Sequence, residues 1–232
     1  MDLLWQGIKE TFRLLLGGDP EVFAIVLLSF RVSLIATVTS LILGVPTGMA
    51  LALSRFGGRR FLISLVNVGM GIPPVVVGLM VAILLWRSGP LGFLGIMYSP
   101  LAIIIAQTLI AFPIVTGLTL AAVQQLNPKV RLQILALGAS RWQMLWILTR
   151  EARLSILAAA MAGFGGVISE VGASMMVGGN ILGQTRVLTT ATVLETSKGN
   201  LDVALALSTI LFALAYTITL ALTVVQQREK AP

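Results

Sequence analysis

Five long apolar stretches, each able to cross a bilayer as a helix, constrain this chain more than any other feature of its sequence. A helix needs about 20 residues to span the apolar core of a bilayer, and the stretches cover about 19–54, 61–86, 101–126, 154–177 and 201–225. Of the 232 residues, only 11% are charged, whereas soluble domains carry about 25%. So few charges cannot form a polar exterior, so we predict an all-α, polytopic membrane helix bundle with about five spanning helices.

The basic residues indicate how the bundle is oriented. The net charge is +7, and a basic balance can indicate nucleic-acid binding. Here, however, the basic residues lie in short connections between apolar stretches, which is typical of topology signals, and we predict no nucleic-acid partner. The richer set of connections should be cytoplasmic, so the N-terminus is expected outside and the C-terminus inside. That set holds Arg55, Arg59, Arg60, Lys129, Arg131, Arg141, Arg150, Arg153, Arg228 and Lys230.

The two termini are predicted to lie outside the spanning bundle. Residues 1–18 place apolar side chains from Leu4 to Leu15 on one helical face, which favours an amphipathic helix in the membrane interface. A short extra spanning helix is the alternative. Residues 19–226 form the membrane domain, and 227–232 form a short cytoplasmic tail.

The chain contains no cysteine and no histidine. Disulfides and thiolate metal sites are therefore excluded, and the commonest metal ligand and general base is missing. We predict no metal site and no cofactor. A membrane enzyme would need a cluster of catalytic groups, and the sequence has none at usable spacing.

The polar connection at about 127–153 is predicted to form two short helices. Asn127 and Pro128 are typical of a helix start, Gly138 should end that helix, and Ser140 with Gln143 forms a capping-box pattern that starts another. The apolar side chains of this hairpin need a partner. The pattern leaves open whether the partner is the chain's own spans or another protein.

This connection resembles the cytoplasmic coupling loop of ABC-importer permeases. The family pattern is Glu-Ala-Ala, three residues and then glycine. Gly138 matches the glycine, while 132–134 departs from Glu-Ala-Ala. The resemblance implies the type I ABC-importer permease fold and a loop that couples the permease to ATPase subunits. The implied coupling residues are Leu132, Leu135, Ala136, Leu137, Gly138, Ala139, Ser140, Arg141 and Trp142.

Further runs resemble the oxyanion-importer permeases for molybdate, tungstate and sulfate. Residues 169–173 and 177–181 carry this resemblance, and 29–33, 44–46, 188–191 and 195–199 look like the tungstate type. The resemblance implies a transporter subunit in a prokaryotic cell (inner) membrane that moves tungstate inward by alternating access, with molybdate or sulfate as alternatives. The implied partners are a second copy of the chain, ABC ATPase subunits and an extracytoplasmic oxyanion-binding protein.

The sequence assigns ATP hydrolysis to a different subunit. It contains no Gly-x-x-x-x-Gly-Lys-Ser/Thr phosphate loop. Bends are expected in the spanning helices at Gly44–Gly48, at Gly69–Pro74 and near Pro113. They would serve the transport movement or merely shape a static bundle.

Two charged residues, Arg31 and Glu170, fall inside predicted spans. A charge within the membrane costs at least about 2.5–3.5 kcal/mol, so each needs a partner or water. We expect a structural role near a gate, with the two side chains paired to each other. Arg31 as an anion contact is an alternative, and a proton relay through Glu170 would define a competing function, a secondary transporter.

The outer connection, 178–200, is expected to be the docking surface for the binding protein, with a gate at its base. Within it, 187–194 should form a short helix across the outer mouth, since it is too short to span; an ordinary solvated loop is the alternative. The predicted docking or gate residues are Gly178, Gly179, Asn180, Arg186, Thr189 and Thr190.

Overall fold

The computed structural model describes residues 2–228, which form helices joined by turns. Proline and capping side chains begin several helices where the sequence predicts them. The Asp19 carboxylate accepts a hydrogen bond from the Glu21 amide at 2.9 Å, ahead of Pro20. The helices are α1 Asp2–Leu16, α2 Pro20–Leu53, α3 Arg59–Gly71, α4 Pro74–Leu85, α5 Pro100–Gln125, α6 Pro128–Ala136, α7 Arg141–Glu151, α8 Arg153–Ile168, α9 Gly172–Gly178, α10 Leu188–Lys198 and α11 Leu201–Arg228, with a 3₁₀ turn at Gly92–Leu94.

The spanning helices agree with the predicted number. By length and composition, α2, α5 and α11 can each cross a membrane alone. Two bent pairs, α3 with α4 at 104° and α7 with α8 at 68°, raise the number to as many as five. The first bend lies at the predicted Gly-Pro break, because Pro73 and Pro74 cannot continue the helix before them. By contrast, α2 continues through Pro46 and α5 through Pro113.

The fourth predicted span is interrupted, which corrects the expectation of a continuous helix over 154–177. α8 ends at Ile168 and α9 begins at Gly172. Ser169, Glu170 and Val171 lie between the two helices, so Glu170 sits in a break and not on a helix face.

α2 and α5 form the central pair of the bundle and run parallel. Ser40 donates a hydrogen bond to the Thr108 carbonyl at 3.1 Å. Two turns further along both helices, a Cβ on Gly48 would lie 2.6 Å from the Thr116 carbonyl oxygen. Glycine therefore allows the two backbones to approach closely. Since the two helices run in the same direction, α3 and α4 must return the chain between them.

The connections gather at two ends of the bundle. At one end, α2 and α5 pack with α7 through Met49, Val123 and Met144, and Gln226 donates to the Leu154 carbonyl at 3.2 Å. We call this the basic end because it holds Arg55, Arg59, Arg60, Lys129, Arg131, Arg141, Arg150, Arg153 and Arg228. The opposite end, the far end, holds 17–19, 86–99, 179–187 and 199–200.

The N-terminal segment is helical, as predicted, and packs beside the start of α11. Gly7 is so close to Leu205 that a Cβ on the glycine would overlap the leucine side chain. Whether α1 lies in the interface or crosses the membrane stays a prediction, and the predicted tail lies outside the described residues beyond Arg228.

Candidate functional site

In the hairpin formed by α6 and α7, the first helix ends and the second begins at the predicted residues. Gly138 adopts φ +77°, a left-handed conformation that other L-residues rarely adopt. The Gly138 amide donates to the Leu135 carbonyl at 3.0 Å and the Ala139 amide to the Ile134 carbonyl at 3.3 Å. These are the two hydrogen bonds of a Schellman motif. The predicted helix stop at Gly138 is confirmed.

The second helix of the hairpin begins with a complete capping box. The Ser140 amide donates to Gln143 Oε1 at 2.7 Å, and the Gln143 amide donates to Ser140 Oγ at 3.3 Å. Because both ends of the turn are fixed by hydrogen bonds, α6 and α7 are held at a defined angle on either side of Gly138.

One face of the hairpin packs on the chain's own spans. Ile134, Met144 and Leu148 are buried against the last turns of α2 and α5. Arg131 also donates to the Leu53 carbonyl at 3.3 Å. The hairpin is therefore joined directly to two spanning helices.

The other face of the hairpin is exposed and apolar. Leu137 is 87% exposed and Trp142 is 82% exposed, and Leu132 and Trp146 are also largely exposed. Contiguous exposed apolar side chains mark an interaction surface. The first alternative, packing on the chain's own spans, is confirmed for one face. Docking of the exposed face to another protein stays a prediction. Of the predicted coupling residues, all are exposed except the half-buried Ala139: Leu132, Leu135, Ala136, Leu137, Gly138, Ser140, Arg141 and Trp142.

Inside the bundle, the two helix breaks lie against each other. A Cβ on Gly78 of α4 would lie 2.5 Å from the Ala173 Cα of α9, and Gly172 lies equally close to Val75. The break before α4 and the break before α9 thus form one contact, which we call the paired breaks (71–75 and 169–173).

Glu170 stabilises the paired breaks through hydrogen bonds. It is only 8% exposed, its Oε1 accepts from the Ala173 amide at 2.8 Å, and its carbonyl accepts from Thr189 Oγ1 at 2.8 Å. The carboxylate therefore caps α9, and Thr189 ties α10 to the same point.

The predicted ion pair between Arg31 and Glu170 is wrong. Among the described residues, no salt bridge joins the two side chains. Glu170 is buried and hydrogen-bonded to the α9 amide, whereas Arg31 is exposed on α2 and lines a far-end cavity that Glu170 does not line. A gate role for either residue stays a prediction.

At the far end, several residues predicted to dock a partner are buried. Thr189 and Thr190 are almost fully covered, and Thr190 Oγ1 both donates to the Val187 carbonyl at 3.0 Å and accepts from its amide at 3.1 Å. Gly178 is also buried. These three residues cannot form a docking surface, because other residues of the chain already cover them. The predicted short helix is confirmed as α10.

Within the connection at 178–200, the turn at 181–184 is exposed and follows Gly179 and Asn180. Those two residues have positive φ values of 70° and 52°, and Gly179 is exposed while Asn180 is half-buried. Thr185 then closes the turn, donating to the Gly178 carbonyl and accepting from the Ile181 amide at 3.0 Å.

Two groups of charged residues flank this turn. Arg186 NH1 lies 3.4 Å from Glu21 Oε1 at the start of α2. At the end of α10, hydrogen bonds from Lys198 and then Asn200, each at 2.7 Å, hold the pKa of the Glu195 carboxyl below its usual value.

One polar contact beside the paired breaks was not predicted from the sequence. Gln107 of α5 is buried and donates to the Val167 carbonyl in the last turn of α8 at 3.2 Å. A glutamine in the middle of a largely apolar span was the available signal. In a membrane, such side chains join helices by hydrogen bonds.

Comparisons with known proteins agree with this architecture. Residues 44–229 match the family described as binding-protein-dependent transport system inner membrane component. The fold resembles a chain of the inward-facing MetNI methionine ABC transporter, with a TM-score of 0.74 at 19% identity, covering 90% of this chain and 98% of that one.

Among curated proteins, the chain is similar to the tungstate uptake system permease protein TupB of Peptoclostridium acidaminophilum. The two are 37% identical over 94% of this chain and 96% of the relative. A probable anion ABC transporter permease of Haloferax volcanii is 40% identical over 82% of this chain and 84% of the relative. The molybdenum permease ModB of Escherichia coli is 29% identical over 78% and 83%. The chain therefore belongs to the family of inner membrane components of binding-protein-dependent transport systems.

Proposed function

We propose that this chain is the membrane-spanning permease subunit of an ATP-driven tungstate importer. The observation that carries the proposal is the 37% identity to a tungstate uptake permease over 94% of the chain. The molybdenum permease is less similar, at 29%, so molybdate and sulfate are the alternative substrates. Family membership implies an ATPase and a binding protein as partners, and the permease itself is a transporter subunit and not an enzyme.

The exposed face of the hairpin is the proposed docking surface for the ATPase. Its apolar side chains face outward at the basic end, while its other face is fixed to α2 and α5. An ATPase movement applied at Leu137 and Trp142 would therefore reach the spanning helices through buried contacts. This assignment also places the basic end in the cytoplasm, as the excess of basic residues favours.

The paired breaks are the proposed point at which this movement opens or closes the path. Interrupted helices can change their relative angle without disrupting a continuous hydrogen-bond ladder, and a transporter needs an element with two stable arrangements. Glu170 has a structural role in this proposal, because its carboxylate is already hydrogen-bonded to α9. A bare carboxylate would also repel an oxyanion.

The complete importer is proposed to contain two copies of this permease and an extracytoplasmic binding protein at the far end. The exposed turn at 181–184, rather than the buried threonines, is the surface that such a protein would contact. Selection among oxyanions then rests mainly with the binding protein.

Uptake by a reconstituted complex tests the function. The permease, its ATPase and its binding protein would be placed in liposomes, and accumulated tungsten would be measured with and without ATP. We expect ATP-dependent tungstate uptake that a tenfold excess of sulfate inhibits weakly. Uptake that continues without the ATPase would favour a secondary transporter instead, and stronger competition by molybdate or sulfate would reassign the substrate.

A further inference from the structure

We infer that the far end contains an oxyanion-binding site between Arg31 and Arg186. The assignment of this site to imported anions rests on the proposed function. Both arginines line a cavity of about 530 Å³ between the first turns of α2 and the turn at 181–186. Gln184 and Glu21 are the other polar side chains that line it, and the rest of the wall is mostly apolar.

Arg186 presents a donor that no acceptor in the described chain satisfies. Its side chain is only 16% exposed, and NH1 lies 3.4 Å from Glu21 Oε1. Its Nε is buried and lacks a hydrogen-bond partner among the described residues. Leaving a buried charged donor unpaired is costly, so an acceptor that enters the cavity would gain a charge-assisted hydrogen bond.

Arg31 adds a second guanidinium to the same cavity. From the helical rise per residue, Arg31 lies about 16 Å along α2 from Pro20. None of the described acidic side chains forms a salt bridge with it. An ionisable residue within a span is expensive and by default functional. The cavity wall thus carries two guanidiniums against the one carboxylate of Glu21, which leaves one positive charge in excess.

This arrangement suits a tetrahedral oxyanion held weakly. Guanidinium groups present several donors in a planar fork that matches such anions. Glu21 competes for Arg186 and Arg31 is exposed, so binding is expected to be modest. Weak binding is what a transport path needs, because the anion must also leave. The same chemistry would hold the phosphate of a lipid headgroup, so the test separates the two sources.

The absence of cysteine from the sequence permits a clean accessibility experiment. Gln184→Cys, an exposed position on the cavity wall, introduces one thiol into the permease. The permease–ATPase complex would be placed in nanodiscs of neutral phosphatidylcholine. The rates of reaction with an anionic and a cationic methanethiosulfonate would be read as mass shifts of the permease chain.

We expect the anionic reagent to react about tenfold faster than the cationic one, because a positive cavity concentrates anions. Added tungstate should slow the anionic reagent severalfold. Arg31→Gln and Arg186→Gln, each combined with Gln184→Cys, should remove both effects. Arg87→Gln is the matched control, since it removes one exposed far-end arginine that does not line the cavity, and it should preserve both.

The two sources of oxyanion give different results. Protection by tungstate in neutral nanodiscs supports a free anion as the occupant. Protection only when phosphatidylglycerol replaces phosphatidylcholine, and only while both arginines are present, supports the same two-arginine site with a lipid phosphate as its occupant. Equal rates for the two reagents, with no protection from either source, overturn the site.

Uptake measured in parallel separates this inference from the proposed function. ATP-dependent tungstate uptake without protection at Gln184→Cys would overturn the site and leave the importer intact. Protection by tungstate in a complete complex that does not take up tungstate would support the site and contradict the importer.

Discussion

The hairpin at the basic end and the turn with α10 at the far end have opposite surfaces. In the hairpin, large apolar side chains such as Leu137 and Trp142 remain exposed. In the far-end segment, polar side chains such as Thr185, Thr189 and Thr190 are buried and hydrogen-bonded within the chain. Both segments lie between spanning helices, and both were expected to meet a partner.

This difference indicates which region is complete without another protein. Exposed leucine and tryptophan side chains are stabilised by burial, so the hairpin gains stability when a partner covers it. The buried hydroxyls at the far end already have acceptors, so the buried part of that segment belongs to the structural framework around the paired breaks. Changes in the framework should therefore reduce stability, whereas changes in the exposed hairpin should reduce coupling.

The largest loss of stability is expected from Gly78→Val in α4, beside the paired breaks. Its Cβ would lie 2.5 Å from the Ala173 Cα and 2.9 Å from the Ala173 Cβ, and a backbone atom cannot move aside cheaply. Overpacking typically costs about 1–3 kcal/mol and occasionally more, and contact with a backbone atom puts this change at the upper end. Thermal unfolding of the purified permease would measure the loss.

Gly165→Val is the matched control for this change. Gly165 is also a helical glycine, but a Cβ there meets no atom within 4 Å. The unfolding temperature of the Gly165→Val variant should therefore stay near that of the unmodified protein. Equal stability of the two variants would show that α4 and α9 are not closely packed.

Glu170→Ala should cause the next largest loss of stability. It removes the acceptor of the buried Ala173 amide, and an unsatisfied buried donor costs about 1–3 kcal/mol. Glu170→Gln keeps an acceptor oxygen and should cost less. Because no ion pair joins the two side chains, the effects of Glu170→Ala and Arg31→Ala should add in the double variant. A glutamine variant as unstable as the alanine variant would show that charge, not capping, is the role of Glu170.

Gly138→Leu should cause a smaller loss of stability and a large loss of coupling. The φ of +77° is unfavourable for leucine and costs about 1–2 kcal/mol, although a Cβ at this position meets no other atom. The altered turn would displace the exposed hairpin surface. ATPase activity of the assembled complex should stop responding to loaded binding protein, while the permease remains folded. Normal stimulation would contradict the assignment of this glycine to the coupling turn.

The smallest expected effect is a pH dependence at the end of α10. The folded-state pKa of Glu195 is lowered by Lys198 and Asn200, so the ionised carboxylate stabilises the protein above the usual glutamate pKa. This stability is lost as the pH falls through the lowered folded-state pKa. The contribution of such an exposed pair is below about 0.5 kcal/mol. Unfolding temperatures of Glu195→Gln and the unmodified protein should therefore converge at acidic pH, and a constant difference would exclude this carboxylate as the cause.

Local signals in the sequence predicted the hairpin well. Gly138, the Ser140 capping box and the prolines before α4 each act on the backbone within a few residues of themselves. The same is true of Asp19 at the start of α2. Such features do not depend on distant parts of the chain, so they can be predicted without the fold.

The break at Glu170 and the burial of the far-end threonines could not be predicted in this way. Ser29 accepts from the Leu188 amide across 159 residues of sequence, and Arg186 meets Glu21 across 165. Thr189, at the start of α10, donates to the Glu170 carbonyl in the break before α9, 19 residues earlier in the chain. These contacts arise from tertiary packing, which also explains why Arg31 and Glu170, although both in predicted spans, do not meet: Arg31 lines a cavity and Glu170 is buried.

Protection of the hairpin by the ATPase tests the central claim most directly. Leu137→Cys would introduce the only thiol of the permease, and Phe93→Cys would be the control, since Phe93 is also largely exposed but lies at the far end. The rate of labelling with an uncharged maleimide would be measured before and after assembly with the ATPase. We expect assembly to slow labelling at Leu137→Cys by about tenfold or more, as at the desolvated centre of an interface. The labelling rate at Phe93→Cys should stay unchanged. Unchanged labelling at Leu137→Cys in the assembled complex would contradict the claim.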